Sequence, residues 1–270
     1  MKLGILSAAL AAILAVGAPS ASKAAYTTDL SDIWWNTSQS GMGYQITQNN
    51  DFLFVTFYVF GPDNKPLWYV AQLTHTGNFV FTGDVYYGNG PSFAGATYDP
   101  STVTRTKVGT ATFTAQLINQ GTLAYSISQN IGGTTFSKNA STTITRLTLK
   151  NENFTGQYIG GYSINSTNCN PASLNGVFNA VGDLVVNHNG NNITMTTNAS
   201  GTVCTYTGTY GQDGKLGHAT GNFTCGGGAS SGTFTFFEME HRWNGFSLRV
   251  AGQNQYCQFT GNAAGIVQAQ

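Results

Sequence analysis

Apolar and polar residues alternate along most of this chain, the alternation is interrupted by Gly, Asn and Asp, and no stretch beyond the first 24 residues keeps a 3.6-residue apolar period. The pattern predicts strands over 43–48, 52–60, 67–73, 79–87, 104–117, 122–127 and 142–149 in the first half. In the second half it predicts them over 156–164, 176–181, 184–187, 193–198, 203–210, 216–225, 233–240, 246–251 and 256–259. Asn49-Asn50 and Pro62-Asp63-Asn64 supply the first two turns. Consecutive hairpins of this kind belong to an all-β chain built as small antiparallel barrels or sandwiches.

The faces of these strands differ. At the far end of 105–117, Ala111, Phe113, Ala115 and Leu117 fall on one face and Thr110, Thr112, Thr114 and Gln116 on the other, so that strand has one wet side. Over 52–60 both faces are apolar: Phe52, Phe54, Tyr58 and Phe60 on one, Leu53, Val55, Phe57 and Val59 on the other. The next strand repeats this, with Trp68 and Val70 against Leu67, Tyr69 and Leu73. Both faces of such strands call for cover. Packing of the other domain or a loop is the plainer cover; a ligand or a partner chain makes Tyr58 and Trp68 candidate contacts.

The opening residues change the picture from one domain to an exported pair. Lys2, the apolar run 3–16, and Ala18, Pro19, Ser20 and Ala21 read as a signal peptide. Ser22 and Ala24 fit small-residue cleavage, so the mature chain is expected to start at Ala25, secreted or periplasmic. No later run approaches the length of a membrane-spanning helix. Residues 25–150 are aromatic-rich and free of cysteine, whereas 151–270 are rich in Gly, Thr and Asn and hold Cys169, Cys204, Cys225 and Cys257. Two β domains follow. Four cysteines in an oxidising compartment allow three pairings. A turn at Gln212-Asp213-Gly214 favours Cys204 with Cys225, which leaves Cys169 and Cys257 to tie the domain's ends. Their spacings contain no metal-ligand pair, so no metal site is expected.

Charge narrows the partners. Only 8% of residues are Asp, Glu, Lys or Arg. Without Lys2 and Lys23, nine basic residues face eleven acidic ones, a net charge of −2. Such a chain has no footprint for nucleic acid. Glu238, Glu240 and His241, beside Arg242, form the one concentrated charged cluster. On a strand the two glutamates would share a face, as the paired carboxylates of a glycosidase must; a strand-end ion pair explains them more simply. No nucleophile elbow, phosphate loop or calcium loop is present, and no cofactor is implied.

The segment Trp34-Trp35-Asn36, with Ser40, Gly41 and Gly43, followed by the aromatic strand 53–60 and by Lys65, Pro66 and Trp68, resembles a family of uncharacterised secreted bacterial proteins. The resemblance spans about residues 29–149 and extends to Cys204-Thr-Tyr-Thr-Gly and Gly221-Asn-Phe-Thr-Cys225; Thr37 and Met42 depart from the pattern. It implies a secreted β protein and supplies no catalytic residue. Adjacent tryptophans on an extended backbone point to opposite sides. Both plugging a barrel end is the plainer reading, and an exposed one beside Asn36 would suit sugar stacking. The expectation is an exported non-enzymatic binding protein for glycan or protein surfaces, with candidate contacts Trp34, Trp35, Asn36, Tyr58 and Trp68. The alternatives are a polysaccharide hydrolase using Glu238 and Glu240, a self-assembling extracellular component, and a carrier of apolar ligands.

Overall fold

The computed structural model describes residues 28–95, 97–131 and 133–268. The expected signal peptide and the cleavage point at Ala25 lie outside the described residues. The chain forms two closed antiparallel barrels of eight strands each. The first comprises β1 (Asp32–Trp35), β2 (Gly43–Asn49), β3 (Phe52–Phe60), β4 (Pro66–Gly77), β5 (Val80–Asn89), β6 (Thr104–Leu117), β7 (Gln120–Ile131) and β8 (Thr134–Arg146). It closes where β1 pairs with β8, Trp34 opposite Arg146. The second comprises β9 (Gly156–Thr167), β10 (Gly176–Asn189), β11 (Asn192–Ala199), β12 (Thr202–Asp213), β13 (Leu216–Cys225), β14 (Ser230–Arg242), β15 (Gly245–Asn254) and β16 (Gln258–Val267). It closes where β16 pairs with β9. The architecture is all-β, and closure leaves neither sheet an open edge to aggregate.

Several elements differ from the sequence pattern. The segment expected as two strands at 176–181 and 184–187 is the single strand β10, because Gly182 lies within a ladder rather than in a turn. There an added Cβ would run into Asn198 O, so the glycine permits a close strand approach. The β12–β13 hairpin turns at Gly214-Lys215, one residue beyond the expected turn, with Asp213 opposite Leu216. That register sets Cys204 directly across from Cys225. The two disulfides join Cys204 to Cys225 and Cys169 to Cys257.

Each barrel is filled by its own apolar cluster. Leu53, Val55, Phe57, Leu73, Phe81 and Phe113 are among the residues at the centre of the first, and Leu184, Met195, Phe234, Phe236 and Leu248 among those of the second. One end of each lumen is closed in the same manner. In the first barrel Trp34 is 0% exposed, its indole N–H donates to Leu30 O at 3.0 Å, and its ring packs edge-on against Phe113. In the second, the Tyr158 hydroxyl donates to Phe154 O at 2.8 Å. Both closures use a ring that reaches back to a carbonyl four residues earlier.

These closed ends meet. Arg146, whose side chain is wholly buried, lies under the Trp34 ring and donates to Ile118 O, Asp29 O and Asp32 Oδ2. Asp32 Oδ2 also accepts the Lys215 amide N–H at 2.9 Å, which carries the network across to the second barrel. Gly214 sits at φ +61°, and a Cβ there would collide with Asp32 and Arg146. The hairpin therefore needs glycine for conformation and for space. The Gln212 side chain adds contacts to Lys150 O and the Glu152 amide in the connecting segment.

Candidate functional site

Among the described residues, neither the other barrel nor a loop covers the second apolar face of β3 and β4, contrary to the plainer reading of the sequence. Tyr58 is 52% exposed and Trp68 51%, with Phe54 and Phe60 also exposed on β3. The cause is register. The turn after Phe60 pairs Tyr58 directly with Trp68, so the two rings stand side by side on the outer surface. On the next strand Gly43 lies opposite Tyr58. On the far side Gly88 lies beside Trp68, where an added Cβ would stand 3.5 Å from the indole ring. The aromatic pair is thus flanked on both sides by residues without side chains.

Polar groups border the pair. The Tyr58 hydroxyl donates to Gln45 Oε1 at 3.3 Å. Arg105, opposite Gly88, lies 3.8 Å from the centre of the Tyr86 ring and donates to Gln72 Oε1. The cation and ring thereby hold each other flat on the surface. Asp84 pairs with Lys107 at 2.7 Å. The hydrogen bond from that ammonium holds the Asp84 carboxyl below its ordinary pKa and raises that of Lys107. The result is a flat strip of rings, amides and one ion pair with little net charge.

The other sequence candidates fall elsewhere. Trp34 is core and closes a barrel end, so it offers no ligand surface, and the reading of both tryptophans as plugs holds for Trp34 alone. Trp35 is half-buried on the outer side of β1, opposite Thr145. Asn36 is consumed by structure: its amide donates to Thr142 Oγ1 at 2.6 Å, and its oxygen accepts from the Ser38 amide and hydroxyl. It shapes the turn into β2 and does not join Tyr58 and Trp68.

Glu238, Glu240 and His241 stand at the junction of the barrels. Glu238 occupies a bulge at φ +50°, where β14 shifts register between Phe237 and Glu240. Its carboxylate accepts from Thr28 Oγ1 at 2.8 Å and lies 3.5 Å from Arg249. Glu240 pairs with Arg242 at 2.8 Å and Lys215 at 3.5 Å, and Lys215 also binds Asp29. His241 lies 3.6 Å from Glu152 in the segment between the barrels. Both glutamates line one cleft, yet Glu238 is already engaged by Arg249 and by Thr28 of the first barrel's N-terminal segment, and Glu240 by Arg242 and Lys215. The arrangement fastens one barrel to the other.

The sequence pattern missed three features of the outer surface. Gly43 and Gly88 read as punctuation, and the stacking of Arg105 on Tyr86 has no local signal because the two lie on different strands. Trp243, 92% exposed at the tip of the β14–β15 hairpin, carried no motif. Among the described residues no cluster of His, Cys, Asp or Glu is arranged to hold a metal ion, and no helix is long and apolar enough to cross a membrane.

No family model matches the chain, and no curated protein matches it. Among solved structures, a protein of unknown function from the DUF3598 family of Nostoc punctiforme is similar at 10% identity over 87% of this chain and 93% of that chain, with a TM-score of 0.26. A likeness of that degree carries no argument about fold or activity.

Proposed function

We propose that the protein is an exported, non-enzymatic glycan-binding protein whose binding surface is the outer face of β2–β6, centred on Tyr58 and Trp68. The observation that carries this reading is the directly paired, half-exposed Tyr58–Trp68 couple with Gly43 and Gly88 beside it. Such rings offer apolar faces to the C–H surface of a sugar, while Gln45, Gln72 and the Asp84–Lys107 pair meet its hydroxyls. The strip is open and nearly neutral, which suits an extended uncharged chain better than a small ligand needing enclosure. Two disulfides and the signal-like first residues support export to a secreted or periplasmic location.

The test is depletion of the purified protein from solution by insoluble polysaccharides and by cell-wall fragments. At least one should remove the wild type, and Trp68→Ala should remain in solution. Gly88→Leu should act likewise by setting a side chain against the indole. Self-association of the wild type that Trp68→Ala abolishes, with no polysaccharide retained, would instead make this face a contact between copies and refute the glycan reading.

A further inference from the structure

The first barrel is open at the end away from the second. The strand ends there are the start of β2, the end of β3, the start of β4, the end of β7 and the start of β8, whereas Asp32, Arg146 and the contacts to Lys215 are at the closed end. Inside this mouth lies a cavity of about 390 Å³, lined by Val59, Leu67, Tyr69, Tyr125, Ile127 and Phe136 among others. That volume falls in the range of small-molecule sites.

Among the described residues, two polar atoms in or next to this mouth lack partners. Tyr69 is 1% exposed, and its hydroxyl makes no hydrogen bond. Burial pushes its pKa up to about 12, so it remains a neutral donor. Gln129 is 8% exposed and its Oε1 is likewise unpartnered. It follows Ile127 on the inward side of β7 and pairs with Phe136 of β8, both cavity-lining residues. Buried polar groups in native proteins are almost always satisfied by protein, water or a bound group, and the Tyr69 hydroxyl belongs to a side chain that lines a cavity with room for one. The second barrel also holds a cavity, of about 270 Å³, but none of its lining side chains has such an atom.

We propose that the mouth of the first barrel is a binding site for a small apolar ring compound bearing one hydroxyl group. The aromatic walls fit a ring, and a hydroxyl group on that ring can accept from the Tyr69 hydroxyl, the unpartnered donor among the lining side chains. The site is separate in position and ligand class from the outer glycan face, and either can fail without the other.

Equilibrium dialysis of the full chain with 2-naphthol and with naphthalene tests it. The wild type should bind 2-naphthol saturably and naphthalene about tenfold more weakly, the ratio for one ordinary hydrogen bond. Tyr69→Phe should reduce 2-naphthol binding to the naphthalene level, with a melting temperature unchanged or raised, because the lost hydroxyl had no partner. Val59→Trp should abolish binding of both compounds by filling the mouth, and Trp68→Ala should change neither. No saturable binding to the wild type, equal binding of the two compounds, an unaltered affinity or a lower melting temperature in Tyr69→Phe, persistence in Val59→Trp, or loss in Trp68→Ala would each overturn the proposal.

Discussion

Arg146 shows how much of the molecule turns on single side chains. A buried guanidinium is tolerable because every direction it offers is answered: Asp32, two carbonyls and the face of Trp34. Removal of one partner leaves the other charge buried, so Asp32→Ala should lower unfolding free energy by about 3–5 kcal/mol. The double variant Asp32→Leu/Arg146→Met should lose less than the two single changes together, since it leaves no orphan charge. Urea titrations of the three variants measure this. Asp29 acts at the surface of the same junction. Burial would raise its pKa, but hydrogen bonds from Lys215 and Ser31 outweigh that and lower it. A carboxyl depressed in the folded state contributes its stability above the unfolded value, about 3.9, and loses it as pH falls through the folded value. Melting temperature should therefore drop less on acidification below about pH 4 in Asp29→Asn than in the wild type.

At the scale of elements, hairpin symmetry was the most legible feature. The turn at Pro62-Asp63-Asn64 fixes Tyr58 opposite Trp68 by counting outward from its centre, so the core of the candidate site could be located from sequence. Burial of each face could not, because Phe54 and Tyr58 are as apolar as Leu53 and Phe57, and alternation alone does not say which set turns inward. The same ambiguity hid Trp34 behind its neighbour Trp35. Elsewhere glycine misled: Gly182 resembles a turn residue but sits in β10, where a close strand leaves no room for a Cβ. The bulge at Glu238 had no signal, since glutamate rarely adopts that conformation. The disulfides hold elements of different separation. Cys169 and Cys257 are 88 residues apart, against 21 for Cys204 and Cys225. Chain-entropy arguments place each loss at roughly 3–5 kcal/mol, the longer loop at the upper end. Thermal unfolding of Cys169→Ser/Cys257→Ser should accordingly show the larger decrease.

For the whole molecule, two barrels joined at their plugged ends leave both open ends and the outer aromatic strip free of the junction. Tyrosines inside both barrels tie their stability to alkali. Burial raises the pKa of Tyr69 in the first and of Tyr206 and Tyr210 in the second to about 12. Because the folded state holds these protons more tightly than the unfolded chain, stability is full below the ordinary tyrosine value of about 10 and falls as pH rises from there towards 12. Alkaline unfolding should then coincide with a cooperative rise in tyrosinate absorbance rather than follow a gradual titration.

The central claim is that Tyr58 and Trp68 form the glycan surface, and the indole N–H resonances of Trp34, Trp35, Trp68 and Trp243 report on it separately. Addition of a soluble oligosaccharide from a polysaccharide that retains the protein should shift the Trp68 signal in a saturable manner and leave that of Trp34, bound to Leu30 O inside the barrel, in place. A shift at Trp35 or Trp243 with Trp68 unmoved would contradict the account.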